Sequence, residues 1–175
     1  MFQMFYPDEW LDSTYQIDFE GLKEKGIKAL IFDIDNTLVP HGAPADERAI
    51  ALFERLHSLG FAVTLLSNNK EPRVKMFCDA VVGASYIYKA GKPGKKGYEK
   101  AMKQMGTDTT TTVFVGDQLF TDVWGAKRCG IYSILVKPID KKEEIQIVLK
   151  RYLEKPILSG YKRHLKKQAK YLKLK

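Results

Sequence analysis

Between Leu30 and Val136, short apolar runs alternate with stretches whose apolar residues recur every three to four positions. Residues 29–32, 61–66, 86–88, 111–115 and 132–136 read as strands, and their nearly unbroken apolar character is that of strands covered on both faces. Residues 45–59 carry Ile50, Phe53, Leu56 and Leu59 at helical spacing before Gly60. Residues 71–78 (with Pro72 tolerated in the first turn), 95–105 before Gly106, 119–129 before Gly130, and 141–153 predict four more helices. This alternation predicts an α/β fold with a central parallel sheet of about five strands and helices on both faces. In such sheets ligands sit beyond the carboxyl ends of the strands, which places a site near residues 33–37, 67–69, 89–93 and 116–122.

The chemistry-bearing residues cluster in those four places. Asp33 and Asp35 follow the first run at spacing two, so in extended backbone they face one side. Two carboxylates held together repel unless a proton or cation lies between them. A hard divalent cation such as Mg2+ suits oxygen ligands and keeps several waters. Asp117 and Asp122, after the fourth run, are placed to close that site, with Lys92 and Ser67-Asn68 after the third and second. Acids, an ammonium, a hydroxyl and amides around a cation make a phosphoryl pocket. The competing reading is that acids at strand ends are helix N-caps or solvated loop residues, and it is preferred for Asp46 and Asp79. Against it, the acid pair, the Ser-Asn, the Lys-Pro and the Gly-Asp-x4-Asp each fall at a separate strand end.

Composition and charge narrow the setting. The 175 residues, 45% hydrophobic and 29% charged, suffice for one real core. No run reaches the roughly 18 apolar residues of a membrane span, and the N-terminal stretch, meeting Asp8 and Glu9 early, is not a secretory signal. Two cysteines, Cys78 and Cys129, exclude a disulfide scaffold and a four-Cys zinc site, and a cytoplasmic protein is expected. Residues 150–175 hold ten Lys and Arg against the single acid Glu154, a net of +9, so residues 1–149 carry −1 of the chain's total of +8.

Phe32-Asp33-Ile34-Asp35-Asn36-Thr37-Leu38, Leu66-Ser67-Asn68-Asn69, Gly91-Lys92-Pro93 and Gly116-Asp117-Gln118-Leu119-Phe120-Thr121-Asp122 resemble, in order, the four motifs of the haloacid dehalogenase (HAD) superfamily of phosphohydrolases. The likeness is closer still to the IIIA-type phosphatases of the YqeG kind, whose relatives include phosphatidylglycerophosphate phosphatases. The resemblance implies a three-layer Rossmann-like core and a Mg2+-dependent phosphomonoester hydrolase. It implies Asp33 as the nucleophile that forms an aspartyl-phosphate, and Asp35 as general acid and then base, its backbone carbonyl on the metal. Thr37 would steady the loop and the attacking water. Ser67 and the backbone of Asn68 would hold the phosphoryl group, and Lys92 would hold Asp33 and the phosphate. Asp117 would be the firm metal ligand, and Asp122 a ligand or the support of one. Only 29 residues separate Thr37 from Ser67 and 24 separate Ser67 from Lys92, too few for the cap domain often inserted there, so the core is expected to be capless. An open site suits a large substrate, a lipid surface or a completing partner.

The expected organisation is an aromatic-rich extension over 1–28, the phosphohydrolase core over 29–155 and a basic amphipathic tail over 156–175. In the tail, Tyr161, Leu165, Gln168 and Leu172 form one helical stripe among lysines, which fits an anionic membrane. A solvated arm and an RNA-binding arm are the alternatives. Phe2, Met4, Phe5, Tyr6 and Trp10 either dock at an interface or pack over the sheet edge. The functional expectation is therefore a phosphatase acting on an anionic phosphorylated substrate, phosphatidylglycerophosphate being one candidate, peripheral to the inner face of the membrane. The alternative is a non-catalytic module of the same fold whose tail holds RNA or a protein. Lys95, Lys96, Lys100 and Lys103 read as a solvated helix face and Cys78 and Cys129 as core; His41, His57 and His164 show no metal-ligand spacing and are assigned no role, although His41 follows the first motif closely enough to touch substrate.

Overall fold

The computed structural model of the chain describes residues 2–140 and 145–172. Six parallel strands, β1 (Glu9–Leu11), β2 (Ala29–Phe32), β3 (Ala62–Leu66), β4 (Ala84–Ile87), β5 (Thr112–Gly116) and β6 (Tyr132–Val136), stand in the order β1-β6-β5-β2-β3-β4. The chain runs outward from β2 through β3 to β4, then returns to β5 and β6 on the other side of β2. The strand order thus reverses between β2 and β5, which pair in register with Ala29 opposite Thr112 and Phe32 opposite Val115.

The two-residue period of the strands divides the core. Leu30 and Phe32 of β2 and Val113 and Val115 of β5 face α1 (Phe19–Glu24), α2 (Glu47–Ser58) and α3 (Glu71–Cys78), meeting Phe19, Phe53 and Phe77. Ile31 and Phe114 face the other way, toward Tyr98 and Met102 of α4 (Lys95–Met105) and Ala126 of α5 (Trp124–Cys129). Each such Phe or Leu contributes about 1.5–3 kcal/mol by leaving water. The helices begin where the sequence provides caps. Asp46 accepts from the Ala49 N–H at 2.8 Å at the start of α2, the capping role preferred for it, and Pro72 sits in the first turn of α3. The segments that elsewhere carry a cap hold only a loop with α2, and α3 with β4.

A sixth strand joins the five read from the sequence. β1 lies on the outer edge beside β6, Glu9 opposite Ile134 and Leu11 opposite Val136. Asp8 fixes it there: its Oδ2 accepts from the Ser133 N–H at 2.8 Å and hydroxyl at 2.9 Å, and its Oδ1 from Lys127 Nζ at 2.6 Å. Residues 1–28 therefore supply an edge strand and, through Ile17, Phe19, Leu22 and Ile27, part of the main core.

At the other end one helix, α6 (Ile145–Leu172), runs through Pro156 and across the 155/156 boundary. The start read at Lys141 and the terminal residues 173–175 lie outside the described residues. Ile157 packs with Leu119, Val123 and Leu135, over which Phe5, Tyr6 and Trp10 also lie. Tyr161 is buried edge-on against Tyr6, with ring centroids 5.3 Å apart. Phe5, Tyr6 and Trp10 thus pack over the sheet edge, while Phe2 and Met4 are exposed. The tail stripe begins inward at Tyr161, and Tyr161, Leu165 and Gln168 line one groove with Gln3 and Tyr6.

Candidate active site

The four loops that carry the sequence motifs meet at the carboxyl ends of β2, β3, β4 and β5, at the point where the strand order reverses. They enclose a pocket of about 220 Å³ lined by Asp33, Asp35, Asn36, His41, Ser67, Asn68, Asn69, Lys92, Gln118, Thr121 and Lys150. A larger depression of about 510 Å³ lies at the opposite ends of the strands, around Lys25, Thr109 and Tyr132. It holds no cluster of buried carboxylates, so chemistry and not size selects the first.

Asp33 continues β2, its N–H donating to Val115 O at 2.9 Å, so its side chain emerges beside β5. The loop then turns sharply. Asn36 takes a left-handed backbone (φ 62°), which asparagine tolerates, and its N–H donates to Val39 O at 2.7 Å. Thr14 Oγ1 donates to Thr37 O at 2.7 Å and the Tyr15 hydroxyl to Leu38 O at 2.6 Å, so the N-terminal segment braces the loop that carries Asp33 and Asp35. On β5, Gly116 is required by crowding: a Cβ there would lie 2.6 Å from the Asp122 carboxyl carbon. The π-helical turn Leu119–Val123 then carries Asp122 back over the strand end.

Lys92 is the centre of the arrangement. Buried, its Nζ donates to Asp33 Oδ1 at 2.6 Å and to Asp122 Oδ1 at 2.7 Å. Burial alone would pull this ammonium down, but Asp122 and Asp33 outweigh it and hold its proton affinity above the ordinary lysine value. Burial acts on Asp33 the other way. It pushes the carboxyl up to about 7, Lys92 opposes, and the Asp122 and Asp35 charges add to the rise. Ser67 is buried at the end of β3, its Oγ accepting from the Asn69 N–H at 3.2 Å. The Asn68 side chain ties the second and third motif loops together, donating to Lys92 O at 3.0 Å and accepting from Lys92 N at 2.8 Å. Thr37 Oγ1 donates to Asp117 Oδ1 at 3.2 Å.

Carboxylate oxygens of Asp33, Asp117 and Asp122 lie within 4.8 Å of one another, all buried. The cluster fits a hard divalent cation, whose charge would offset three acids where Lys92 alone supplies one positive charge. Within the cluster the roles differ. Asp122 already accepts from Lys92 through Oδ1 and, through Oδ2, from the backbone N–H groups of Asp117 at 3.2 Å and Gln118 at 3.0 Å. These bonds tie Asp122 to the loop that carries Asp117.

The structure thus brings Asp33, Asp35, Thr37, Ser67, Asn68, Lys92, Asp117 and Asp122 together, and adds residues that motif reading missed. The Asp35 carboxylate is clamped from three sides. Gly42 N–H donates to Oδ1 at 2.7 Å, Asn69 Nδ2 to Oδ2 at 2.7 Å, and Arg73 through Nη2 at 2.9 Å and Nε at 3.3 Å to Oδ1. Arg73 Nη1 is buried and has no protein partner among the described residues. Lys150 reaches the pocket rim from α6. His41 lines the pocket with Nδ1 4.0 Å from Asp35 Oδ1, whereas Asp79 is exposed and pairs with Lys75, and Lys95, Lys96, Lys100 and Lys103 are exposed on α4.

Comparison with known proteins agrees with this geometry. A family model described as haloacid dehalogenase-like hydrolase matches residues 42–130, a span that takes in Ser67, Lys92, Asp117 and Asp122 and begins after Asp33 and Asp35. The chain is 41% identical to the probable phosphatase YqeG of Bacillus subtilis, covering 92% of this chain and 94% of that protein. It is 31% identical to the chloroplastic/mitochondrial phosphatidylglycerophosphate phosphatase 1 of Arabidopsis thaliana, covering 96% of this chain but 50% of that protein. Among solved structures, NagD from E. coli K-12 superposes with a TM-score of 0.53 at 14% identity, covering 70% of this chain and 91% of that one. The cobalt-bound deoxy-D-mannose-octulosonate 8-phosphate phosphatase (YrbI) from Haemophilus influenzae gives 0.51 at 17%, covering 79% and 91%, and both speak for the fold alone. With an α/β core, four motif loops on one pocket and a full-length relative at this identity, the chain belongs to the haloacid dehalogenase-like hydrolase family and is a phosphatase of that family.

Proposed function

We propose that the protein is a Mg2+-dependent phosphomonoester hydrolase working through an aspartyl-phosphate, with an anionic phospholipid monoester such as phosphatidylglycerophosphate as its substrate. The observation that carries the reaction is the buried Lys92 bridging Asp33 and Asp122 beside Asp117, in a pocket that opens next to Ser67. Asp33 attacks phosphorus through a carboxylate oxygen as the bond from phosphorus to the leaving alcohol oxygen breaks, and Asp35 gives that oxygen a proton. Water then attacks the same phosphorus, Asp35 takes its proton, the bond to Asp33 breaks and inorganic phosphate leaves. Lys92 and the Ser67 hydroxyl hold the transferring oxygens, and Thr37 holds Asp117 in place. Mg2+, when bound at Asp33 and Asp117, supplies positive charge for the phosphoryl oxygens.

The lipid substrate is supported by the name of the plant relative and by a site that no cap covers. Wild-type protein should hydrolyse an aryl phosphate with Mg2+, lose this in EDTA, and lose it by at least a thousandfold as Asp33→Asn. Full activity of Asp33→Asn removes the nucleophile assignment, and absence of any turnover in wild type favours a non-catalytic binding module. A panel of lipid and soluble phosphomonoesters compared by kcat/KM tests the substrate, and a soluble sugar phosphate at the top of that panel would overturn the lipid reading.

A further inference from the structure

The two sides of α6 differ in a way the tail's sequence stripe does not capture. Its inner side holds Glu154, which accepts from the Leu119 N–H at 2.7 Å, and Ile157 and Tyr161, all buried. At 100° per residue, Leu149, Tyr152 and Pro156 fall away from that side, and Leu153 lies at its border. Leu149, Tyr152 and Leu153 are 65%, 62% and 60% exposed, the three most exposed large apolar side chains described. Among the described residues none of the three belongs to a core cluster, and exposed apolar surface of this kind marks an interaction site. Further along the same outer side the helix presents Arg163, Lys166 and Lys167, all exposed, and over 145–172 its single acid, Glu154, points inward. Lys155 leans its ammonium over the Tyr152 ring at 4.4 Å. Next to Leu149, Lys150 lines the phosphatase pocket.

We propose that this outer side of α6 rests on an anionic lipid bilayer, Leu149, Tyr152 and Leu153 entering the headgroup–acyl boundary and Lys155, Arg163, Lys166 and Lys167 facing the lipid charge. An apolar stripe followed by cations, with no acid between them, matches a surface that is oily and negative in one plane. A second copy matches it less well, since two such sides would set lysine against lysine. Through Lys150 the docked helix borders the pocket mouth, so a lipid headgroup reaches Asp33 without its acyl chains leaving the bilayer. The proposal rests on the lipid-substrate reading for its purpose but not for its test.

The test uses the full chain and flotation with vesicles of phosphatidylcholine alone or with phosphatidylglycerol. The expected result is binding to the phosphatidylglycerol vesicles, weakened at least tenfold in a Leu149→Ser, Tyr152→Ser, Leu153→Ser variant whose melting temperature and aryl-phosphate turnover match wild type. A Lys155→Gln, Arg163→Gln, Lys167→Gln variant should lose binding and its salt dependence while also keeping aryl-phosphate turnover. Wild-type protein that ignores anionic vesicles overturns the proposal, as does a serine variant that binds like wild type. So does a concentration-dependent dimer in sedimentation that the serine variant abolishes while vesicle binding persists, which would assign the face to a second copy. Should the serine variant lose vesicles while no lipid phosphate is hydrolysed by wild type, the surface stands and the substrate reading falls.

Discussion

The pocket at the β2–β5 switch point and the layer formed by the N-terminal segment with α6 both bury charge, and they do so to different ends. In the pocket, Lys92 sits between Asp33 and Asp122 with Asp117 close by, so three carboxylates share one ammonium. Burial first, and then the Asp122 and Asp35 charges, leave Asp33 with its raised proton affinity, and the cluster is short of positive charge. In the outer layer, buried Glu154 accepts from the Leu119 N–H, and Leu119 itself packs with Ile157 in a cluster over which Phe5, Tyr6 and Trp10 lie. There the buried acid anchors a helix. Substitutions in the pocket should therefore separate activity from stability, and substitutions in the layer should move stability alone.

The largest effect expected is that of Lys92→Met. It removes the only cation bonded to Asp33 and Asp122 among the described contacts and leaves two buried acids facing each other. Removing one partner of a buried ion pair costs about 3–5 kcal/mol, and losing a charge aimed at the transferring group costs about a hundredfold or more in kcat. Denaturant titration and aryl-phosphate kinetics measure the two. A variant that keeps wild-type stability would mean that the acids do not depend on Lys92. Tyr161→Ala should come next. It deletes a buried ring that touches Tyr6 and lies 6.3 Å from Trp10, at about 3 kcal/mol by analogy with large-to-small changes of buried aromatics. Turnover of a soluble substrate should not change, and a fall in kcat at constant stability would show that the layer acts on the pocket.

These two positions also divide what sequence reveals. Asp33, Ser67 and Asp117 each follow a strand directly and Lys92 lies in the loop after β4, so local apolar runs and short motifs point to them, and the sheet brings them together wherever the intervening helices lie. β1 was not legible. Glu9-Trp10-Leu11 is three residues long, begins with an acid and has no period; only the edge of β6 and the Asp8–Ser133 bonds make it a strand. The inward turn of Tyr161 was half legible. The amphipathic stripe is visible in the tail, but its partner is Tyr6, some 155 residues earlier. Asn69 and Arg73 were missed because their contact with Asp35 depends on α3 starting just after β3, and no spacing rule states which turn of that helix faces the first loop.

Arg73 gives the next test. Arg73→Ala takes the charged fork from Asp35 and should cost about tenfold to a hundredfold in kcat, within the share general acid–base catalysis supplies, with little change in KM. The loss should be greater for an alkyl phosphate than for an aryl phosphate, whose leaving oxygen needs less help from a proton. Arg73→Lys should recover only part, since an ammonium cannot reproduce the two-donor contact. Equal losses on both substrates would assign Arg73 to packing.

The last effect expected, read as a slope against pH, has a sign opposite to the others. Without metal, burial and its acidic neighbours hold the Asp33 carboxyl at about 7, against 3.8 for an ordinary aspartate. The folded state therefore binds a proton that the unfolded chain has already released between these values, and stability falls as pH rises through that window. Above pH 7 the cost of an ionised Asp33 is fully present. Asp33→Asn removes that titration while Lys92 keeps its bond to Asp122, so the variant's melting temperature should be flat where that of the wild type declines, and higher at pH 8 in EDTA. Mg2+ should raise the wild type and not the variant, and should bind the wild type more tightly at pH 8 than at pH 6, since the ion and the proton compete for one carboxylate. Parallel slopes for the two proteins between pH 5 and 8 would show that Asp33 carries no buried strain, and would remove the contrast between a pocket that stores unbalanced charge and a layer that does not.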